Sequence, residues 1–215
     1  MKTPVLLALL CAISATADAQ ASTLKWRLDS PAVLVTGAAV SDSAWRFSPM
    51  APGWHVTTRP GVLLYDPTQT GSGQYSVDTQ IHIFPNSSDA GMGIFIGGQN
   101  IESDAPSYWL FEIRQNGAYR ISQRETRNER VIRDWVVDTT IIKHPGGNTT
   151  VANRIRVMVR PDSIVLIVNT KPIVAVPRTG PSADGAFGLR VGSRVDVHVS
   201  HLDFIRHLAP IRSSP

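Results

Sequence analysis

The feature that most constrains the fold is an alternation of apolar and polar side chains with a period of two. In YSVDTQIHI (75–83) the apolar residues Tyr75, Val77, Ile81 and Ile83 hold one parity, whereas Asp78, Gln80 and His82 hold the other. Successive side chains of a β-strand point to opposite faces of a sheet, so this period predicts strands with one face in a core and one in water. The same alternation recurs in RIRVMVR (154–160) and VDVHV (195–199).

Turn-forming residues separate these alternating runs. Asn116 and Gly117 accept the positive φ angles of a tight hairpin, which predicts that YWLFEIR (108–114) pairs with AYRISQR (118–124). No run beyond the N-terminal segment has a sustained helical period, and the chain divides into about a dozen short strands. We therefore expect an all-β chain that folds as a two-sheet antiparallel β-sandwich.

The N-terminal segment MKTPVLLALLCAISATADA has the organisation of a secretory signal peptide. Lys2 is followed by an apolar run (5–13) and by small residues up to Ala19. The apolar run is shorter than the about 20 residues that cross a bilayer, which favours cleavage over membrane insertion. We expect a cleaved signal peptide at 1–19, a single domain at 20–207, a frayed tail at 208–215, and a secreted or periplasmic location.

Cysteine and charge narrow the class further. The only cysteine, Cys11, lies in the segment that would be removed, so the exported chain must fold without disulfides. The formal net charge is +4, but acidic residues such as Glu125 and Glu129 interrupt the arginines throughout. Nucleic-acid binding requires a clustered basic stripe with stacking aromatics, so we predict no nucleic-acid partner.

Several patterns that suggest chemistry fail on their spacing. The glycines of GMGIFIGG (91–98) do not match a dinucleotide-binding motif, and no helix follows them. On a strand, His198 and His201 would point to opposite faces, which disfavours a metal pair. We predict no metal site and no cofactor, and no spacing of loop acids supports calcium. Among the tryptophans, Trp109 has inward parity, whereas Trp135 follows a charged run and is expected near the surface.

The run from Trp54 to Phe204 resembles the concanavalin A-like lectin and glucanase superfamily, near the bacterial secreted domains named for 3-keto-disaccharide hydrolase. The resemblance rests on GIFIGGQNI (93–101), SYWLFEIRQNGAYRISQR (107–124), VNTKPIVAV (168–176) and GAFGLRVGSRVDVHVSHLDF (185–204). It implies a jelly roll of two antiparallel sheets that binds sugars on a concave face or at its rim. Hydrolytic relatives carry acids on a strand in patterns such as YEVQI; in LFEIR of this chain only Glu112 is kept.

These observations lead to a set of expected site residues. Outward parity, on strands that could neighbour one another, selects Glu112, Arg114, Arg120, Asp196 and His198, and the loop after residue 98 adds Gln99 and Asn100 as a binding rim. Arginine and carboxylate groups together supply oriented hydrogen bonds to sugar hydroxyls. The leading hypothesis is a non-catalytic exported module whose partner is a carbohydrate or a cell-envelope polymer. The alternatives are a glycoside hydrolase with Glu112 as acid or base, and a structural or protein-interaction domain.

Overall fold

A computed structural model describes residues 25–28, 34–35, 45–85 and 88–208. The expected signal peptide (1–19) and the expected tail beyond residue 208 lie outside this part of the chain. Within it, no helix is present that has the length and apolarity to span a membrane.

Fifteen strands of the described chain form two antiparallel sheets. The strands are β1 (Lys25–Leu28), β2 (Leu34–Val35), β3 (Trp45–Pro49), β4 (Trp54–Thr58), β5 (Val62–Gly71), β6 (Tyr75–Ile83), β7 (Met92–Gln99), β8 (Ser107–Ile113), β9 (Ala118–Glu125), β10 (Asn128–Val137), β11 (Val151–Val159), β12 (Ser163–Val168), β13 (Lys171–Pro177), β14 (Gly185–Val191) and β15 (Asp196–Arg206). The eight-stranded sheet has the order β10-β9-β8-β7-β14-β5-β1-β2, and the seven-stranded sheet has the order β13-β12-β11-β6-β15-β4-β3. The expected all-β antiparallel sandwich of jelly-roll type is confirmed.

The core lies between the two sheets and uses the parity that the sequence indicates. Val195, Val197 and Val199 are fully buried, and so are the inward residues of β6 and β11. From the eight-stranded sheet, Trp109 packs inward, and its Nε1 donates a hydrogen bond to the carbonyl of Pro181 at 2.9 Å. The indole is therefore buried with its polar atom satisfied.

The pairing of β8 with β9 forms as expected, but of the two turn residues only Gly117 has the expected positive φ; Asn116 does not. Ile113 pairs with Tyr119 across the turn, and Gly117 has a φ of 87°, a left-handed angle that glycine adopts at low cost. The Asn116 side-chain oxygen accepts a hydrogen bond from the Ala118 amide at 3.0 Å. The turn aligns Glu112 directly opposite Arg120 on neighbouring strands.

A second, smaller apolar cluster lies on the outer face of the eight-stranded sheet. It consists of Leu63, Tyr65, Phe95, Ile101, Tyr108 and Leu110. Ile101 belongs to the loop 100–106 and is only 5% exposed, so this loop covers the part of the sheet from which the cluster projects.

Strand β15 contains a β-bulge. Val199 pairs with Ile81 of β6, and the next regular pair is Leu202 with Thr79, so that two residues of β15, Ser200 and His201, lie opposite one residue of β6. A bulge of this kind adds one residue to the strand and changes the phase of the side chains beyond it.

Candidate functional site

The expected site residues do not lie on one face. Glu112 and Arg120 belong to β8 and β9 in the eight-stranded sheet, whereas Asp196 and His198 belong to β15 in the seven-stranded sheet. The expectation that these strands are neighbours is wrong, because β15 pairs with β4 and β6. Parity tells on which side of its own sheet a residue lies, but it does not tell which sheet the strand joins.

Gln99 and Asn100 form a third location. Gly93 of β7 pairs with Glu112, whereas Gln99 pairs with Ser107 six residues further along β7, which corresponds to about 20 Å. The Gln99 side chain donates a hydrogen bond to the carbonyl of Asp184 at 2.6 Å. These two residues therefore lie at the opposite end of β7 from Glu112.

The residues Glu112, Arg114, Arg120, Trp135 and Arg190 form what we call the arginine–tryptophan cluster, on the outer face of the eight-stranded sheet. Its base is an ion pair that spans a strand: Gly93 pairs with Glu112 on one side and with Arg190 on the other. Arg190 Nε lies 3.5 Å from Glu112 Oε1, and both side chains are largely buried. The glycine between them carries no side chain, which leaves the outer face open for the two to meet.

Trp135 lies above this pair. The guanidinium carbon of Arg114 is 3.6 Å from the centre of the Trp135 ring, and that of Arg120 is 5.9 Å away; the shorter distance is that of a cation–π contact. A Cβ on Gly91 would lie 2.6 Å from Glu112 Oε1 and 3.0 Å from Trp135 Cη2. Gly91 therefore provides the space in which the carboxylate and the indole approach each other.

Acidic groups surround the two outer arginines of the cluster. Arg120 lies 3.2 Å from Glu129 and 3.7 Å from Asp134, and Arg114 lies 3.9 Å from Asp89. Within the described chain the Nε of Arg114 is buried without a hydrogen-bond partner. The cluster thus presents hydrogen-bond donors and acceptors around a half-buried aromatic ring.

The opposite outer face carries a row of three histidines on adjacent strands. His198 of β15 pairs with His55 of β4 and with His82 of β6. The His82 and His198 rings are 5.2 Å apart, and His55 Nε2 lies 2.7 Å from an oxygen of Asp196. Burial lowers the pKa of His82. Burial and the neighbouring His82 lower the pKa of His198, so both rings favour the neutral form.

Beside this row, Asp78 of β6 is buried on the outer face with 1% of its side chain exposed. It accepts hydrogen bonds from Arg154 at 2.8 Å, from Arg156 at 2.7 Å and from His201 at 2.9 Å. The sequence indicated that Asp78 points outward, but it did not indicate that two arginines cover it.

The expectation that His198 and His201 lie on opposite faces is wrong, because the bulge in β15 brings both to the outer face.

Asp78, His201 and Asp203 each place a ligand atom within 4.8 Å of the others. This spacing is compatible with a metal ion, but the chemistry of the donor set is not. Both oxygens of Asp78 already accept from a guanidinium group, and two fixed positive charges oppose the binding of a cation. The prediction of no cofactor stays a prediction.

Comparison with known proteins supports the fold. The sequence matches no protein-family model and none of the curated proteins with which it was compared. The structure is similar to the carbohydrate-binding module CBM66 from Bacillus subtilis, with a TM-score of 0.60 and 9% identity over 76% of this chain and 96% of that chain. It is also similar to a Bacillus subtilis protein of unknown function with a galectin-like fold, with a TM-score of 0.55 and 11% identity over 77% of this chain and 91% of that chain.

A third similar structure is a functionally unknown protein from Saccharomyces cerevisiae, with a TM-score of 0.50 and 13% identity over 77% of this chain and 97% of that chain. At such low identity these likenesses show the fold alone. The fold type that they define is a galectin-like, concanavalin A-like β-sandwich. The nearer resemblance to the 3-keto-disaccharide hydrolase domains stays a prediction.

Proposed function

We propose that this chain is an exported, non-catalytic module that binds carbohydrate at the arginine–tryptophan cluster. The observation that carries the proposal is the position of Trp135, whose ring lies 3.6 Å from the Arg114 guanidinium and above the Glu112–Arg190 pair. Sugars have hydroxyl groups that both donate and accept hydrogen bonds, together with apolar ring faces. A site that combines guanidinium donors, carboxylate acceptors and an indole complements all three properties.

The rigidity of the cluster supports a binding role. Glu112 and Arg190 are held on two strands of the sheet with most of their side chains buried, so little conformational entropy is lost when a ligand arrives. The similarity to CBM66, whose name states that it is a carbohydrate-binding module, supports the same class of ligand. Export, inferred from residues 1–19, would place the module where extracellular or cell-envelope polymers are its partners.

The test is a glycan array followed by calorimetric titration of the best neutral oligosaccharide. Trp135→Ala removes the indole ring and should weaken binding at least tenfold, because the apolar face of the sugar loses the aromatic surface on which it would pack. Arg114→Gln should weaken it by a similar factor. Arg133→Gln, on an exposed position of the same strand as Trp135, is the matched control and should bind as the parent protein does.

Absence of binding to any neutral or acidic glycan would reject the proposal. Binding that survives both Trp135→Ala and Arg114→Gln would show that the site lies elsewhere. Intact folding of each variant is checked by circular dichroism and thermal melting.

The alternative of a hydrolase of the 3-keto-disaccharide type assigns Glu112 as acid or base. General acid catalysis of glycoside cleavage uses two carboxyl groups on either side of the bond. The 3.5 Å contact of Glu112 with the Arg190 guanidinium supports the binding role instead, because it holds the carboxylate as a fixed hydrogen-bond acceptor within the cluster. Turnover of ordinary or oxidised disaccharides that is lost in Glu112→Gln would favour the hydrolase.

A structural or protein-interaction role would be favoured if a protein partner bound in place of any glycan.

A further inference from the structure

The outer face of the seven-stranded sheet carries a pair of arginines that is fixed by a single buried carboxylate. Arg154 and Arg156 are two residues apart on β11, so both project from the same face, with their backbones about 6.6 Å apart. The Nε of Arg154 bonds one oxygen of Asp78 and the Nε of Arg156 bonds the other. The carboxylate therefore holds the two guanidinium groups side by side.

Each arginine also carries Nη donors besides the Nε that bonds Asp78. Each guanidinium uses its Nε for the carboxylate, and in the part of the chain that the structure describes no Nη atom of either residue has a hydrogen bond. The side chains of Arg154 and Arg156 are 46% and 32% exposed. The four Nη groups of two anchored, partly exposed guanidinium groups are thus available to a ligand.

Asp78 is suited to act as the anchor. Burial acts to raise the pKa of Asp78, but the hydrogen bonds from His201, Arg154 and Arg156 outweigh burial and lower that pKa. The carboxylate is consequently ionised at neutral pH, and its charge cancels that of only one arginine. Asp203 also lies near Asp78, with a carboxylate oxygen within 4.8 Å of it. It is 61% exposed, so that water screens its charge, and it lies on β15, with β6 between it and β11.

We propose that this arginine pair is a second binding site, which takes an oxyanion, a carboxylate or sulfate group, of an acidic saccharide. The guanidinium fork matches the two oxygens of such a group, and two forks held in place lose little entropy on binding. That the oxyanion belongs to a saccharide rests on the proposed function. The site itself lies on the face opposite the arginine–tryptophan cluster and shares no residue with it.

The test is isothermal titration at low and moderate salt with three oligosaccharides of equal length: an oligogalacturonate, a sulfated oligosaccharide and a neutral oligosaccharide. The main variant is Arg154→Lys/Arg156→Lys, which keeps two cations beside Asp78 but removes the forked donors. The acidic ligands should bind this variant about tenfold more weakly, whereas the neutral ligand should be unaffected. Arg130→Gln/Arg133→Gln, which removes two exposed arginines of β10, is the control for net charge and should change acidic binding less than twofold.

A second variant, Arg154→Gln/Arg156→Gln, removes the charge as well and should abolish acidic binding and its salt dependence. Since this change leaves Asp78 buried beside neutral groups and lowers stability, the lysine variant decides the question if the glutamine variant unfolds. Equal binding of the acidic ligands by the parent protein and the lysine variant would overturn the inference. If the parent protein binds no acidic ligand, this inference is wrong. If Trp135→Ala also loses the binding of neutral glycans, the proposed function still stands.

The two acidic ligands separate the sources of the oxyanion. Stronger binding of oligogalacturonate would assign the site to carboxylated polymers, and stronger binding of the sulfated ligand would assign it to sulfated ones. Inorganic sulfate alone, titrated while the arginine Nε signals are followed by NMR, should shift the signals of Arg154 and Arg156. Absence of that shift would contradict the site independently of any saccharide.

Discussion

Buried charge in this protein lies on the outer faces of the sheets. Glu112 and Asp78 are both almost fully buried. Arg154 and Arg156 of the neighbouring strand compensate Asp78, and Arg190, on the far side of β7, compensates Glu112. An unpaired buried carboxylate would be costly, so these arginines are required for the fold whatever else they bind. A single residue therefore affects stability and ligand binding together, and the tests must separate the two.

Glycines beside the arginine–tryptophan cluster offer such a separation. A Cβ at Gly93 would lie 2.1 Å from the backbone oxygen of Phe111, whereas a Cβ at Gly91 would meet the side-chain ends of Glu112 and Trp135. Backbone cannot move aside as side chains can, so Gly93→Ala should lower the free energy of unfolding by about 1–3 kcal/mol. Gly91→Ala should cost less stability but weaken glycan binding. Urea denaturation measures the free energy of unfolding of both variants, and a larger loss of stability in Gly91→Ala than in Gly93→Ala would contradict the prediction.

The histidine row predicts how stability depends on pH. The pKa values of His82 and His198 are lowered in the folded protein, so the unfolded chain binds more protons between the folded pKa values and the ordinary value of about 6.5. The resulting stabilisation is complete above that ordinary value and is lost as the pH falls through the folded pKa values. We expect the urea midpoint to decrease from pH 7.5 to pH 5.

The chain has other histidines besides these two, so the decisive measurement is a difference between variants. The double variant His82→Gln/His198→Gln removes both groups and should show a smaller decrease in its urea midpoint over this interval. An unchanged or steeper decrease in the double variant would contradict the assignment to these two residues.

At the scale of elements, the loop 100–106 is held by the apolar cluster beneath it. A Cβ on Gly98 would lie 2.3 Å from Ile101 Cδ1, so the isoleucine fills the space above that glycine. Ile101→Ala should lower the free energy of unfolding by about 2–3 kcal/mol and should increase proteolysis between residues 100 and 106. Glu102→Ala removes the partly exposed hydrogen bond from the Tyr65 hydroxyl but leaves the apolar cluster unchanged. It serves as the control, with an expected loss of about 1 kcal/mol.

The strands also show which features of the fold could be predicted from the sequence and which could not. The parity of β6, β11 and the first half of β15 was predictable, because a half-buried strand must alternate. The position of His201 was not, because a bulge adds a residue without a marked signal in the sequence. The grouping of Glu112 with Asp196 also failed, since the pairing of distant strands depends on the packing of the whole sandwich. Arg190 was missed as the partner of Glu112 because β14 follows more than 70 residues later along the chain.

At the scale of the molecule, stability must come from the core between the two sheets. The sequence has a single cysteine, Cys11, so the chain from residue 20 has no thiol to form a disulfide. A reducing agent should leave the melting temperature of that chain unchanged, as measured by differential scanning calorimetry. A decrease of several degrees in the melting temperature would contradict this prediction, because it would show that a reducible bond contributes to stability.

The arginine–tryptophan cluster and the arginine pair lie on outer faces that point in opposite directions, with the full thickness of the sandwich between them. A polymer bound on one side would leave the other side accessible. If both sites are occupied, one copy of this protein can join two separate polysaccharide chains, and a mixture of a neutral and an acidic polymer would gel or precipitate at a ratio set by the number of protein molecules. The sandwich would then act as a cross-link between polymers of different charge.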